Sequence, residues 1–152
     1  MTVCSLSAEM LLKRKPDVIA LIRETMRYNF PCSMIEDGYY EQTVNSLAEY
    51  LKQGKATVFA AIDAGVLCGW LWCHEIDRMG SKRLHIASFA VKESTRKKGV
   101  GQQLMQQAQD YARDKGYAAL DLLVTASNAT AVSFYEKQGF QTERLLLRKD
   151  LT

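Results

Sequence analysis

The chain has 152 residues, 47% of them hydrophobic, and a formal net charge of +3. That is enough chain for one well-packed core, so a single domain over residues 1–152 is expected. The near-balanced charge gives no support to a nucleic-acid-binding arm or an electrostatic membrane anchor, and no apolar run is long enough to cross a bilayer.

In chain order, the amino-terminal stretch MTVCSLSAEM lacks the apolar centre of a secretory signal, and a little strand is expected there. Pro16 followed by DVIALIRETMRYNF reads as a helix with Val18, Leu21, Ile22, Thr25 and Met26 on one face. CSMIEDGYY reads as a loop broken at Gly38, and EQTVNSLAEYLKQG as a second helix closed at Gly54. ATVFAAI and VLCGWLWCHEI, joined at Asp63-Ala64-Gly65, read as a hairpin. A polar loop, DRMGSKR, precedes a third strand, LHIASFAV. Past Arg96 the spacing of Val100, Leu104, Ala108, Tyr111 and Ala112 predicts a helix ending at Gly116. AALDLLV reads as a strand, NATAVSFYEKQ as a helix opened by Asn128 and closed at Gly139, and FQTERLLLRKDL as a last strand. This order points to an α+β fold with a mixed sheet. The last strand is a candidate for pairing across a homodimer.

Cys4, Cys32, Cys68 and Cys73 show neither a CxxC pair nor a zinc spacing, so no metal is expected. They are expected as reduced, small core residues of a cytoplasmic protein. Trp70 and Trp72, on one strand face, read as packing residues.

The segment RKKGVGQQLM, from Arg96 to Met105, places two glycines and three cations at a helix start. The free N–H groups there and the positive end of the helix dipole favour a phosphate or diphosphate. Without a Cβ, Gly99 and Gly101 let the main chain approach such an anion closely. No Lys-Ser or Lys-Thr follows, so a Walker loop does not fit; Leu104 stands where a dinucleotide fingerprint needs its third glycine. The pattern that fits is R-x-x-G-x-G, with a plain glycine-rich turn as the alternative.

A second motif, NATAVSFYEKQGF from Asn128 to Phe140, follows one strand later. Together, in this order and spacing, the two resemble the GNAT superfamily of acyl-CoA N-acyltransferases over roughly Leu84–Phe140. The resemblance implies a mostly antiparallel mixed central sheet with helices on both faces and a splayed central strand pair. It implies coenzyme A, as acetyl-CoA, for a co-substrate, with its diphosphate on the main chain of Arg96, Lys97, Lys98, Gly99, Val100 and Gly101 and a further contact from Gln102. Lys97 or Lys98 would reach the ribose phosphate or simply face water. Phe89, Ala90 and Val91 would offer main chain to the pantetheine arm, and an N–H near Phe89 would serve the oxyanion. Asn128 matches a position that meets the coenzyme arm, with helix capping as its other role. Tyr135 matches the general acid: a phenol of pKa about 10 can give its proton to the departing thiolate, whose thiol has a pKa of about 8.5.

The general base is open. The family often places a glutamate where this chain has His85, and an imidazole of unperturbed pKa about 6.5 suits the task. Glu75 is the reserve candidate, and His74 a weaker one. In the acceptor groove the resemblance places MIEDGYY, so Glu36 and Asp37 would attract a cation and Tyr28, Tyr39 or Tyr40 would offer it ring faces. The implied reaction is direct acyl transfer to a primary amine, on a small molecule or a peptide, in a ternary complex. A non-catalytic acyl-CoA sensor or regulatory subunit is the alternative.

Overall fold

The computed structural model describes residues 1–30 and 34–152. The elements are β1 (Thr2–Ser5), α1 (Ala8–Lys13), α2 (Lys15–Asn29), α3 (Asp37–Lys52), β2 (Thr57–Asp63), β3 (Val66–Arg78), β4 (Ser81–Val91), a 3₁₀ turn (Glu93–Thr95), α4 (Val100–Lys115), β5 (Leu120–Leu122) and α5 (Ala129–Lys137). The five strands form one sheet in the order β1-β2-β3-β4-β5. All neighbours run antiparallel except β4 and β5, which the α4 crossover makes parallel.

Strand alternation divides the core in two. Val58, Ala60, Trp70 and Ala90 face one way and pack with Leu11, Val18, Leu21, Val44 and Leu47 of the first three helices. Phe59, Ala61, Leu71, Cys73, Leu84 and Ile86 face the other way, under Val100, Leu104, Met105, Ala108 and Ala112 of α4. A side chain such as Leu104, fully buried, contributes about 1.5–3 kcal/mol over an exposed one. The two layers are the helices on both faces expected of the α+β mixed sheet. Cys68 and Cys73 are buried free thiols and Cys4 a half-buried one; Cys32 lies outside the described residues. Trp70 is fully buried, and its ring centroid is 6.4 Å from that of Trp72.

Four sequence expectations need correction. The short helix α1 was not expected; Ser7 caps it by accepting from Met10 N. The stretch Asp37–Tyr40 is helical rather than loop: Tyr40 is only 4% exposed and continues the inward face of Val44 and Leu47, while a Cβ on Gly38 would meet nothing. The polar segment 77–83 is mostly strand, turned in two residues by Met79 and Gly80 at φ 56° and 89°. Both values are positive, as a tight hairpin requires. Its polarity reflects a hairpin that projects past the core, with Met79 almost fully exposed. Residues 140–152 form no strand, because a strand exists only through a pairing partner and none pairs with them among the described residues.

Candidate active site

The site begins where the sheet comes apart. β4 pairs with β5 only through Leu84↔Leu120, His85↔Asp121 and Ile86↔Leu122. β4 then runs on to Val91 while β5 stops. From Ala87 to Val91, one edge of the β4 main chain has no strand beside it among the described residues. The divergence coincides with a bulge, because Trp72 pairs with Ser88 but Cys73 with Ile86, leaving Ala87 as the extra residue. A bulge bends its strand and re-aims the residues around it. Ser88 is held there by a hydrogen bond from Trp70 Nε1 at 3.2 Å.

Beyond Val91 the chain turns into α4. Lys97 and Gly99 take left-handed conformations, φ 64° and 79°. No side chain caps the helix. Among the described residues, the amides of 97–102 donate to no protein acceptor. Such a turn ahead of a helix start is a concave set of N–H donors at the positive end of a dipole. Lys97 and Lys98 are exposed at its rim. Arg96 is turned inward: its Nε donates to Val91 O at 3.2 Å, and its guanidinium lies 4.7 Å from the centroid of the Tyr28 ring. Gly101 is constrained for a different reason, since a Cβ there would sit 3.2 Å from Phe89 Cζ and 3.5 Å from the Phe134 ring.

The other wall of the gap is aromatic. Phe89 stacks on Phe134 at 5.5 Å, and Tyr135 touches Phe89, Phe134 and Phe140 at 5.6–6.1 Å between centroids. Burial pushes the Tyr135 phenol up to about 12, so it stays protonated across the physiological range. Asn128 caps α5 by accepting from Ala131 N at 3.2 Å, and its amide donates to Asn29 Oδ1 at 2.9 Å. The end of α2 is thus a clamp. Glu24 accepts from Glu93 N, Tyr28 carries Arg96 and Asn29 holds Asn128.

On the face of the sheet opposite α4, His85 and His74 sit across β3 and β4 with ring centroids 5.3 Å apart. His85 Nδ1 is 2.6 Å from Asp121 Oδ1. Asp121 also accepts from Arg78 Nε at 3.0 Å and Arg83 Nη1 at 3.5 Å. Burial opposes its ionisation, but the hydrogen bonds from Arg78 and His85 outweigh that and hold the carboxyl below its usual range. An ionised Asp121 favours a proton on Nδ1, which leaves Nε2 as the ring nitrogen able to accept one. Glu75 lies on the α4 face instead, with Lys82 Nζ at 3.9 Å and Tyr117 beside it. A cavity of about 570 Å³ opens next to His74, lined by Tyr50, Thr57, Trp72, Glu75 and Tyr117 among others. Trp72 Nε1 is buried without a hydrogen-bond partner, alone in this among the described side chains.

Of the acceptor-side residues read from sequence, Tyr28 carries Arg96 on its ring and Asp37 pairs with Arg23 at 2.8 Å. Tyr40 is buried under the Arg23 guanidinium. Glu36 is exposed just ahead of α3, and Tyr39 is half-exposed against Tyr40. Sequence reasoning missed Asp121, Asn29, Glu24 and Gly69. A Cβ on Gly69 would lie 3.0 Å from both Ala90 O and Leu104 Cδ1. A glycine inside an apolar strand is the signal that could have found it.

Comparison with known proteins adds family context. The model of the acetyltransferase (GNAT) family matches residues 17–140. Over 89 residues the chain is 37% identical to the uncharacterized N-acetyltransferase YdgE of Bacillus subtilis, covering 59% of this chain and 57% of that one. Over 60 residues it is 42% identical to streptothricin acetyltransferase of Streptomyces lavendulae, covering 40% and 32%. The chain spans little more than half the length of the first of these relatives. Among solved structures, a mutant of the BH1408 protein from Bacillus halodurans superposes with a TM-score of 0.84 at 17% identity over the whole of both chains. An aminoglycoside acetyltransferase from a soil metagenomic sample, in complex with sisomicin, superposes at 0.75 with 18% identity over 99% of this chain and 95% of that one.

Proposed function

Since this chain belongs to the acetyltransferase (GNAT) family, we propose that it transfers an acetyl or other short acyl group from acyl-CoA to a primary amine. The amine belongs to a small molecule or a peptide and attacks directly in a ternary complex. One observation carries the reading: the unpaired main-chain edge of β4 from Ala87 to Val91 leads straight to the unengaged amides at the start of α4. An edge that hydrogen-bonds an extended amide chain, followed by donors for a diphosphate, suits the shape and charge order of coenzyme A.

In this account Lys97–Gln102 hold the diphosphate through main-chain N–H groups, with Lys97 and Lys98 close by for the ribose phosphate. Phe89–Val91 align the pantetheine arm. A β4 N–H near Phe89 polarises the thioester carbonyl and meets the oxyanion as the amine attacks. An ammonium cannot attack, so a proton must first leave it; His85 Nε2, backed by Asp121, takes that proton directly or through water. Glu75, on the other face of the sheet, is the less suited base. Tyr135 then protonates the departing thiolate. Burial raises the phenol, and the same apolar wall disfavours a free thiolate, so the proton passes as the sulfur leaves rather than afterwards. The side-chain amide of Asn128 already caps α5 and binds Asn29, so its part is to fix the α5 edge of the gap. The amine enters from the His74 side, and Glu36 and Tyr39 are the acidic and aromatic groups still open to a cation. Asp37 and Tyr28 act through Arg23 and Arg96.

The test is thiol release from acetyl-CoA across a panel of amines, comparing wild type with Tyr135→Phe. The reading expects amine-dependent release that the variant slows. Saturable coenzyme binding with no release on any amine would instead make the chain a sensor.

A further inference from the structure

Strand alternation and register put Arg78, Arg83 and His85 on one face of the β3–β4 hairpin, where Asp121 of β5 meets them. Asp121 divides its two oxygens. Oδ1 is 2.6 Å from His85 Nδ1, whereas Oδ2 accepts from Arg78 Nε at 3.0 Å and from Arg83 Nη1 at 3.5 Å. Arg83 is itself shared. Its Nη1 and Nη2 each donate to Glu143 at 2.8 Å, so Glu143 holds more closely the nitrogen that reaches Asp121. Glu143 stands three residues past Phe140, whose ring packs on Tyr135. One short segment therefore touches both the wall around the acid and the support behind the base.

A lone carboxylate this close to an imidazole favours the imidazolium, which has no lone pair to take a proton. A base needs the opposite, a carboxylate that orients the ring while part of its charge is met elsewhere. Arg78 and Arg83 supply that counter-charge. The side chains of Asp121 and His85 are 14 and 15% exposed, so solvent screens them little. The other titratable groups near the ring are His74, 5.3 Å away between centroids, and Glu75 and Lys82, which pair with each other on the opposite face of the sheet.

We propose that Arg78, Arg83 and Glu143 are positioning residues for the base His85. The two guanidiniums hold Asp121 Oδ2 so that Oδ1 orients the ring without charging it, and Glu143 limits how closely Arg83 draws on Asp121. The inference rests on the acyl-transfer reading for what the base does, but its first readout needs no transfer.

That readout follows the His85 ring resonances of the ¹⁵N-labelled free protein against pH, alongside the acid limb of kcat/KM. Arg78→Gln is expected to move both upward by about half a pH unit or more, and Arg78→Lys, which keeps the charge, to bring both back. Glu143→Gln is expected to move both downward by a smaller step, since Arg83 is then free to close on Asp121. A gap left by a lost side chain would not give opposite signs, nor be mended by lysine. Glu143 is exposed, so its variant serves even if Arg78→Gln fails to fold. A ring titration unmoved in Glu143→Gln, or moved alike by Arg78→Gln and Arg78→Lys, would overturn the inference. A ring that shifts while the rate profile stays would instead overturn His85 as the base, and the network's part in the reaction with it.

Discussion

His85 Nδ1 and Asp121 Oδ1 stand 2.6 Å apart across the one parallel strand pair of the sheet. The contact is a product of register, since the two residues are direct partners on β4 and β5. Asp121→Asn keeps the shape but removes the charge that fixes the ring's tautomer. We expect kcat to fall roughly 10²-fold, at the low end of what a general base supplies, with KM for acetyl-CoA unchanged. A parallel rise in that KM would mean the pair shapes the coenzyme site instead.

The same carboxylate makes a prediction for acid stability. Its folded-state pKa is lowered, so its contribution is present above the ordinary carboxylate range and is lost as pH falls through the folded value. Urea melts from neutral pH downward should show wild type losing stability more steeply than Asp121→Asn. Parallel curves would contradict the assignment.

Tyr135 acts at the other end of the scale. Its phenol, ordinarily near 10, is raised to about 12 by burial. Stability should therefore be full below pH 10 and decline toward pH 12, by about 3 kcal/mol from this group. Cys73, raised from 9.0 to about 12 by burial, adds to the decline from a lower pH. Tyr135→Phe should remove its share of the alkaline loss while slowing thiol release about 10²-fold or more. An alkaline melt unchanged in the variant would show that the phenol is not buried in solution.

Three glycines separate packing from backbone strain. Gly69→Ala should cost about 1–3 kcal/mol, because its Cβ meets a fixed carbonyl, Ala90 O, at 3.0 Å. Gly99→Ala meets no atom within 4 Å but must adopt φ 79°, costing about 1–2 kcal/mol. Gly101→Ala gains about 1 kcal/mol of helix propensity and loses it again by pushing the Phe89 tip, leaving stability near neutral. Thermal melts should rank Gly69→Ala lowest, although Gly69 lies outside the glycine motif.

What was legible in the sequence was local. The α4 face, its Gly116 stop, the Asn128 cap and the hairpin at Ala64-Gly65 all rest on residues within a few positions of one another. So does the turn holding Gly99. The rest needed the third dimension. Asp121 looked like one polar residue in a short apolar strand until register set it against His85. Asn29 and Glu24 lie outside the apolar face that the sequence marks on this helix, yet they bind loops 99 and 69 residues away. Arg96 read as one of three cations at a helix start, and its side chain is turned inward onto the Tyr28 ring. The last strand was misread because an alternating pattern does not itself supply a pairing partner, and among the described residues none pairs with it.

The central claim is that the main chain at the start of α4 and along the open edge of β4 holds coenzyme A. Titrating the ¹⁵N-labelled chain with coenzyme A and following its amide resonances tests this directly. The account predicts saturable shifts concentrated at residues 97–102 and 87–91. Saturable binding that leaves both stretches unmoved, or no binding at all, would contradict it.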